Sequence, residues 1–227
     1  MKTQSSERAS ASHSLSYPVK ISVVTTLLYP RERPLECLRS WTHGQDFPPD
    51  DIEMIVVING RRRHWENRLP EVLRPGDRTL YCNDSNEMAL YDAGIRAARG
   101  EWILMTEPHV TAEPDCIRQL LDHSQAEELA GACARTMPCD ERSPVARMEA
   151  RMYLESAAAW SRPGEWRLIT KRGVMFRKDA YLSVGGFDTD QLRFAETTLA
   201  AKLHQAGYSL GYAEAARIHH QNSTSLG

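Results

Sequence analysis

No apolar run in the chain approaches the ~20 residues that a membrane-spanning helix needs. The Ser-rich stretch Met1–Tyr17 also lacks the apolar segment of a secretory signal. Charge of one sign is missing too: 28 Lys and Arg stand against 30 Asp and Glu, a net charge of −2. That balance builds no field toward a polyanion, so nucleic acid is not an expected partner. Cysteine is sparse and odd in number, with five residues (Cys37, Cys82, Cys116, Cys133, Cys139) and no Cys-x-x-Cys. Scattered reduced thiols fit this better than a disulfide framework, and no further ligands stand at zinc-site spacing around Cys133 and Cys139. Two glycine motifs are absent as well. No Gly-x-Gly-x-x-Gly follows the first apolar run, which disfavours a dinucleotide fold. The absence of Gly-x-x-x-x-Gly-Lys-Ser/Thr excludes a P-loop NTPase. The expectation is a cytoplasmic protein with a disordered tail over 1–17 and one domain over 18–227. Peripheral attachment to a membrane stays open.

What is present is an alternation of strands and helices. Val19–Leu28 and Ile52–Ile58 are β-branched runs that read as buried strands, the second stopped by Asn59-Gly60. Between them Pro34 opens a helix in which Leu35, Leu38 and Trp41 recur at helical spacing. Thr79–Tyr81 reads as a short third strand, Asn86–Ala98 as a helix stopped by Gly100, and Trp102–Met105 as a fourth strand. The order β-α-β-α-β-α-β implies a parallel sheet with right-handed crossovers, flanked by helices. The remainder is less regular. It contains a strand within Leu129–Arg135, a helix over Arg147–Trp160, a strand over Gly173–Arg177 and a short helix from Lys178. A turn at Gly185–Asp188, a helix over Phe194–Gln205 and an extended segment over Tyr208–Ile218 complete it. The chain thus divides into halves over 18–110 and 111–227.

The fourth strand ends in Thr106-Glu107-Pro108-His109. Residues at i and i+2 of an extended segment point the same way, so Glu107 and His109 could converge on one ion. In open α/β sheets, ligands bind beyond the carboxyl ends of the strands. A solvated turn accounts for the same residues without any ligand. Arg61-Arg62-Arg63, Lys171-Arg172 and Arg177-Lys178 are likewise either diphosphate contacts or solvated charge runs. Trp160 and Trp166 are either sugar-stacking rings or core.

Ser22-Val23-Val24, the helix to Ser40-Trp41, Ile55-Val56-Val57 running into Asn59-Gly60, and Gly94–Glu101 before a strand resemble the family 2 glycosyltransferases. Phe176-Arg177-Lys178-Asp179, Gly185-Gly186-Phe187-Asp188 and Gly207–His220 extend the resemblance to about residues 20–222. The resemblance implies the GT-A fold, a Rossmann-like, mostly parallel central sheet flanked by helices. The first half would hold a nucleotide-sugar and the second half the acceptor. It further implies transfer from a nucleotide-diphosphate sugar to an acceptor hydroxyl, with inversion and a divalent metal, Mn²⁺ or Mg²⁺. The acceptor is left open as polysaccharide, lipid-linked or small molecule.

The departures from the family pattern are local. Glu107-Pro108-His109 stands where the family has Asp-x-Asp and looks like a subfamily form of it. A carboxylate with an imidazole suits Mn²⁺ better than Mg²⁺, which prefers oxygen. His220 matches a family histidine after the last strand and joins Glu107 and His109 as a metal ligand; His219 would face the other way. Acidic residues usual at the end of the second strand are replaced by Ile58 and Asn59, leaving Asn59 as the base contact. Thr25, Asp92 and Glu107 complete the nucleotide-sugar set, with an ordinary strand threonine and a helix-surface acid as the alternative readings of the first two. The family's catalytic base falls on Glu196, where a helix-dipole carboxylate is the alternative reading. The competing function is a non-catalytic GT-A-like binding or assembly module.

Overall fold

A computed structural model describes residues 19–28, 33–60, 65–138, 143–191 and 194–222; the expected tail 1–17, Arg61–Arg63 and Cys139 lie outside them. The strands are β1 (Val19–Thr26), β2 (Ile52–Asn59), β3 (Arg78–Cys82), β4 (Gly100–Met105), β5 (Val110–Ala112), β6 (Gly131–Pro138), β7 (Val174–Arg177) and β8 (Leu210–His220). The helices are α1 (Pro34–Thr42), α2 (Glu87–Ala97), α3 (Cys116–Ala126), α4 (Pro144–Trp160), α5 (Lys178–Ser183) and α6 (Ala195–Gln205). One sheet runs β3-β2-β1-β4-β7-β6-β8-β5. The four strands β1 to β4 are mutually parallel; β7 enters antiparallel to β4 and β6, β8 is parallel to β6, and β5 is antiparallel to β8. The sheet is therefore mixed: the first half contributes the four-stranded parallel block, and the second half adds one more parallel pair, β6–β8, among antiparallel ones.

The central strands are largely apolar because helices cover both faces. Ile21 and Val23 of β1 pack with Leu35, Leu38 and Trp41 of α1 on one side. Val24 packs with Met88, Tyr91 and Ile95 of α2 on the other. Asn86 caps α2 by accepting from the Met88 N–H at 2.9 Å. Ser143 caps α4 in the same way, with Pro144 in the first turn.

Three expectations are corrected. Gly100 does not stop α2, which ends at Ala97; it starts β4, where a Cβ would lie 2.6 Å from the Ser22 nitrogen, so the close approach of two strands selects it. The described residues between β2 and β3 form a 3-10 turn over Leu69–Glu71 in place of an α-helix. Pro70 and Pro75-Gly76 interrupt any longer helix there. Helix α6 begins at Ala195, because Phe194 adopts a left-handed backbone with φ of 66°. The segment 110–126, unassigned from sequence, supplies β5 and α3. Among the described residues no helix is long and apolar enough to cross a membrane.

Candidate active site

Four chain segments meet beyond the carboxyl ends of the parallel strands. Strand β4 runs into Thr106 and Glu107, and a turn closed by the Val110 N–H to the Glu107 carbonyl at 3.2 Å presents His109. Strand β5 pairs Val110 with His220 of β8, which sets the two imidazoles side by side. The loop Thr170–Gly173 enters ahead of β7, whose Val174 pairs with Met105. The first turn of α6 brings Glu196 to that loop.

Glu107, His109 and His220 form one cluster. The two histidine Nε2 atoms lie 3.1 Å apart, and Glu107 Oε2 is 3.6 Å from each of them. These three are the one described group of three or more His, Cys, Asp or Glu able to hold a metal ion. Bonds of about 2.1 Å to one ion place neighbouring ligand atoms about 3.0–3.4 Å apart, so the spacing fits a single cation with little adjustment. Convergence comes from the turn and from β5–β8 pairing, not from an extended 107–109 segment. The outer nitrogen of His220 is engaged as well: Nδ1 is 2.7 Å from the Tyr153 hydroxyl and 3.3 Å from Asn222 Oδ1. Metal-binding histidines are commonly oriented by such outer partners. His219 points away and meets Glu113 at 2.5 Å.

A second layer of charge surrounds Glu107. Lys171 Nζ is 3.5 Å from Glu107 Oε1 and donates to Glu87 Oε2 at 2.5 Å. The Lys171 backbone N–H donates to Glu196 Oε1 at 2.7 Å. Among the described residues Glu196 Oε2 makes no hydrogen bond. Burial pushes the Glu107 carboxyl up, but His220, His109 and Lys171 together pull it down to about 2. Burial raises Glu196, and there the nearby cations Lys171 and Arg172 do not restore the ordinary value. Burial lowers Lys171, while Glu107 and Glu87 outweigh it and leave the ammonium above its ordinary range. Two carboxylates linked through Lys171 are thus pushed in opposite directions, one toward permanent charge and one toward proton exchange.

Other candidates lie elsewhere. Asn59 ends β2, and its side-chain amide donates to the Asp84 carbonyl at 2.5 Å. Thr25 is fully buried beside Val56, with no hydrogen bond to its hydroxyl among the described residues, so β1 keeps it out of the cluster. Asp92 is drawn off by Tyr181, whose hydroxyl donates to it at 2.6 Å, and by Arg96 at 2.7 Å. Of the basic pairs, Arg177 meets Asp179 and Lys178 reaches the carbonyls closing α2, so both are structural. Trp166 stacks on His204, while Trp160 lies against Arg172 at 5.5 Å. The sequence reading missed Glu87, Tyr153 and Asn222. Only Asn222 carried a local signal, two residues beyond His220 on an extended chain.

Against known families, residues 31–185 match the model for glycosyl transferase family 2. That span is more than half of the chain. The chain belongs to glycosyl transferase family 2. The domain is 25% identical over 193 residues to a glucosyl-dolichyl phosphate glucuronosyltransferase of Haloferax volcanii, covering 78% of this chain and 61% of that protein. It is 22% identical over 128 residues to the O-antigen chain rhamnosyltransferase RfbN of Salmonella typhimurium, covering 53% of this chain and 41% of that one. The family 2 domain therefore spans less than two thirds of either relative. Its fold is that of GT-A glycosyltransferases. S. aureus TarS superposes with a TM-score of 0.67 at 11% identity, over 89% of this chain and 37% of TarS. The mannosyltransferase PcManGT of Pyrobaculum calidifontis, solved with GDP-Man and Mn²⁺, does so with a TM-score of 0.62 at 17% identity, over 90% of this chain and 57% of its own.

Proposed function

We propose that this family 2 domain transfers a sugar from a nucleotide-diphosphate sugar to an acceptor hydroxyl in one inverting displacement. The observation that carries the reading is the convergence of Glu107 Oε2 and the two histidine Nε2 atoms at the strand ends, with Glu196 on the same loop contact. Glu107, His109 and His220 are the residues to hold a divalent cation, which when bound neutralises diphosphate charge as the leaving group departs. Two imidazoles in three ligands favour Mn²⁺ over Mg²⁺, in keeping with the Mn²⁺ in the PcManGT complex. Asn59, at the end of β2, is the residue to meet the base, in exchange for its bond to the Asp84 carbonyl.

Glu196 is the group to take the acceptor proton. Its Oε1 is fixed by the Lys171 N–H, which leaves Oε2 for the hydroxyl. A raised pKa makes it a stronger base than an exposed glutamate and moves it toward the operating pH. Attack opposite the leaving diphosphate passes through an oxocarbenium-like state, whose charge the carboxylates of the cleft favour. The glucuronosyltransferase relative is named for a dolichyl-phosphate-linked acceptor. A lipid-linked acceptor therefore joins the substrates to test, and it would bring the domain to a membrane surface from the cytoplasmic side.

The test is thermal stabilisation by a panel of nucleoside diphosphates, with and without Mn²⁺. Binding to the folded state raises apparent stability by mass action. The expected result is a shift with one nucleotide that needs Mn²⁺ and vanishes in a Glu107→Ala, His109→Ala protein. A folded wild type with no shift for any nucleotide would support a non-catalytic binding or assembly module.

A further inference from the structure

Among the described residues most arginines meet a carboxylate. Arg74, Arg78 and Arg135, the other half-buried arginines, each have a carboxylate at 3.0, 3.0 and 2.8 Å. Arg172 is half-buried too, yet among the described residues its guanidinium meets no carboxylate, carbonyl or other acceptor. Two aromatic faces hold it instead: its Cζ lies 4.7 Å from the Tyr153 ring centroid and 5.5 Å from that of Trp160. Both rings come from α4, seven residues apart, and make a seat for a flat cation. Aromatic contacts of this kind use none of the guanidinium N–H donors, and it is those donors that bind oxyanions in pairs. A charge so far out of water with no acceptor is costly unless one arrives.

The position is tied to the cluster. The Tyr153 ring that carries Arg172 also places its hydroxyl 2.7 Å from His220 Nδ1. The Arg172 carbonyl accepts from the Thr106 hydroxyl at 3.2 Å, next to Glu107. One phenol ring thus separates the unpaired guanidinium from a candidate metal ligand.

We infer that Arg172 binds an oxyanion of the substrate, a phosphate or carboxylate group held by its guanidinium edge beside the Glu107–His109–His220 cluster. This rests on the transferase reading, because the cleft must admit the substrate. Three sources offer that chemistry: the donor diphosphate, a carboxylate on the donor sugar, and a phosphate on the acceptor.

The experiment compares Mn²⁺-loaded wild type with Arg172→Gln and Arg172→Lys. The probes are UDP, GDP and dTDP, then UDP-glucose against UDP-glucuronate, then geranyl phosphate as a soluble lipid phosphate. The expected result is a roughly tenfold weakening in Arg172→Gln for one class, with Arg172→Lys only partly restoring it. Equal losses for every nucleotide bound assign the diphosphate. Loss confined to UDP-glucuronate assigns the sugar carboxylate, and loss confined to geranyl phosphate assigns the acceptor. Unchanged binding of all probes by a folded Arg172→Gln protein overturns the inference and leaves the transferase reading standing. A wild type that binds none of the probes overturns both.

Discussion

The two ends of the parallel sheet each bury a carboxylate, and they treat it in opposite ways. At the amino ends, Glu53 of β2 is surrounded by donors. The Ser22 hydroxyl and the Arg99 backbone N–H donate to it at 2.6 Å, and Arg99 Nε and Arg78 Nη2 at 2.8 and 3.0 Å. Ser22 in turn accepts from the Gly100 N–H at 2.8 Å. The network ties β1, β2, β3 and β4 together and leaves nothing for a ligand to complete. At the carboxyl ends, Glu107 faces two imidazole nitrogens that converge on the same point as its own oxygen. Donors closing around an acceptor make a structural joint. Potential ligands closing around a point make a site. Burial alone would have ranked Glu53 above Glu107.

The largest effect that sharpens this contrast is on turnover. Glu196→Gln keeps the volume and the Lys171 contact and removes the base. Catalysis should fall by about 10²–10⁴, the usual contribution of a general base, with Mn²⁺ and nucleotide affinity unchanged; release of nucleoside diphosphate over time checks it. Full activity in the variant would remove Glu196 from the mechanism. At the other end, Glu53→Gln should leave metal and nucleotide binding intact and cost about 3 kcal/mol of folding stability, the order seen on breaking a buried ion pair. Urea unfolding of the metal-free protein measures it. A loss of Mn²⁺ affinity on changing Glu53 would break the comparison.

Tyr153→Phe tests the outer layer of the site. Removing its hydroxyl takes away the partner of His220 Nδ1. The expected loss is about 10–100-fold in Mn²⁺ affinity, read by electron paramagnetic resonance of free Mn²⁺, with stability changed little. Wild-type affinity in the variant would mean that Asn222 orients the ring without Tyr153.

Local pattern carried most of the fold and about half of the site, and the division has a physical cause. The runs Val19–Leu28 and Ile52–Ile58 are legible because strands covered on both faces read as near-continuous apolar runs, in which the polar Ser22 and Glu53 pair with each other. Helix α1 is legible from the spacing of Leu35, Leu38 and Trp41. Helix α3 was overlooked although Ile117, Leu120 and Leu121 fall at i, i+3 and i+4, also a helical spacing, and are buried; that miss had a signal. Strand β5 had none, since three residues become a strand only through pairing with β8. Gly100 was misread because a helix stop and a close strand contact both ask for glycine. The Glu107–His109 pair could be seen in sequence because it is local. Glu87, Lys171 and Tyr153 join it from 20, 64 and 46 residues away from Glu107, which only the sheet topology decides.

The smallest effect concerns acid. Burial raises the Glu53 carboxyl, but the bonds from Ser22 and Arg99 and the charge of Arg78 outweigh it and leave its pKa below the ordinary value. A depressed folded-state pKa contributes stability that is fully present above the unfolded value, about 4.3. That contribution is lost as pH falls through the folded value. Glu196 has the opposite sign: its raised pKa means that ionisation in the fold is disfavoured, so it costs stability at neutral pH. In the metal-free protein, Glu53→Gln should therefore flatten the loss of stability below about pH 4. Glu196→Gln should raise the melting temperature at pH 7 while lowering turnover by about 10²–10⁴. A stabilised but catalytically impaired variant at one end, beside a destabilised variant with intact ligand binding at the other, separates a carboxylate kept for function from one kept for the fold. Equal destabilisation by both substitutions would place Glu196 with the structural joints, as a cap on α6.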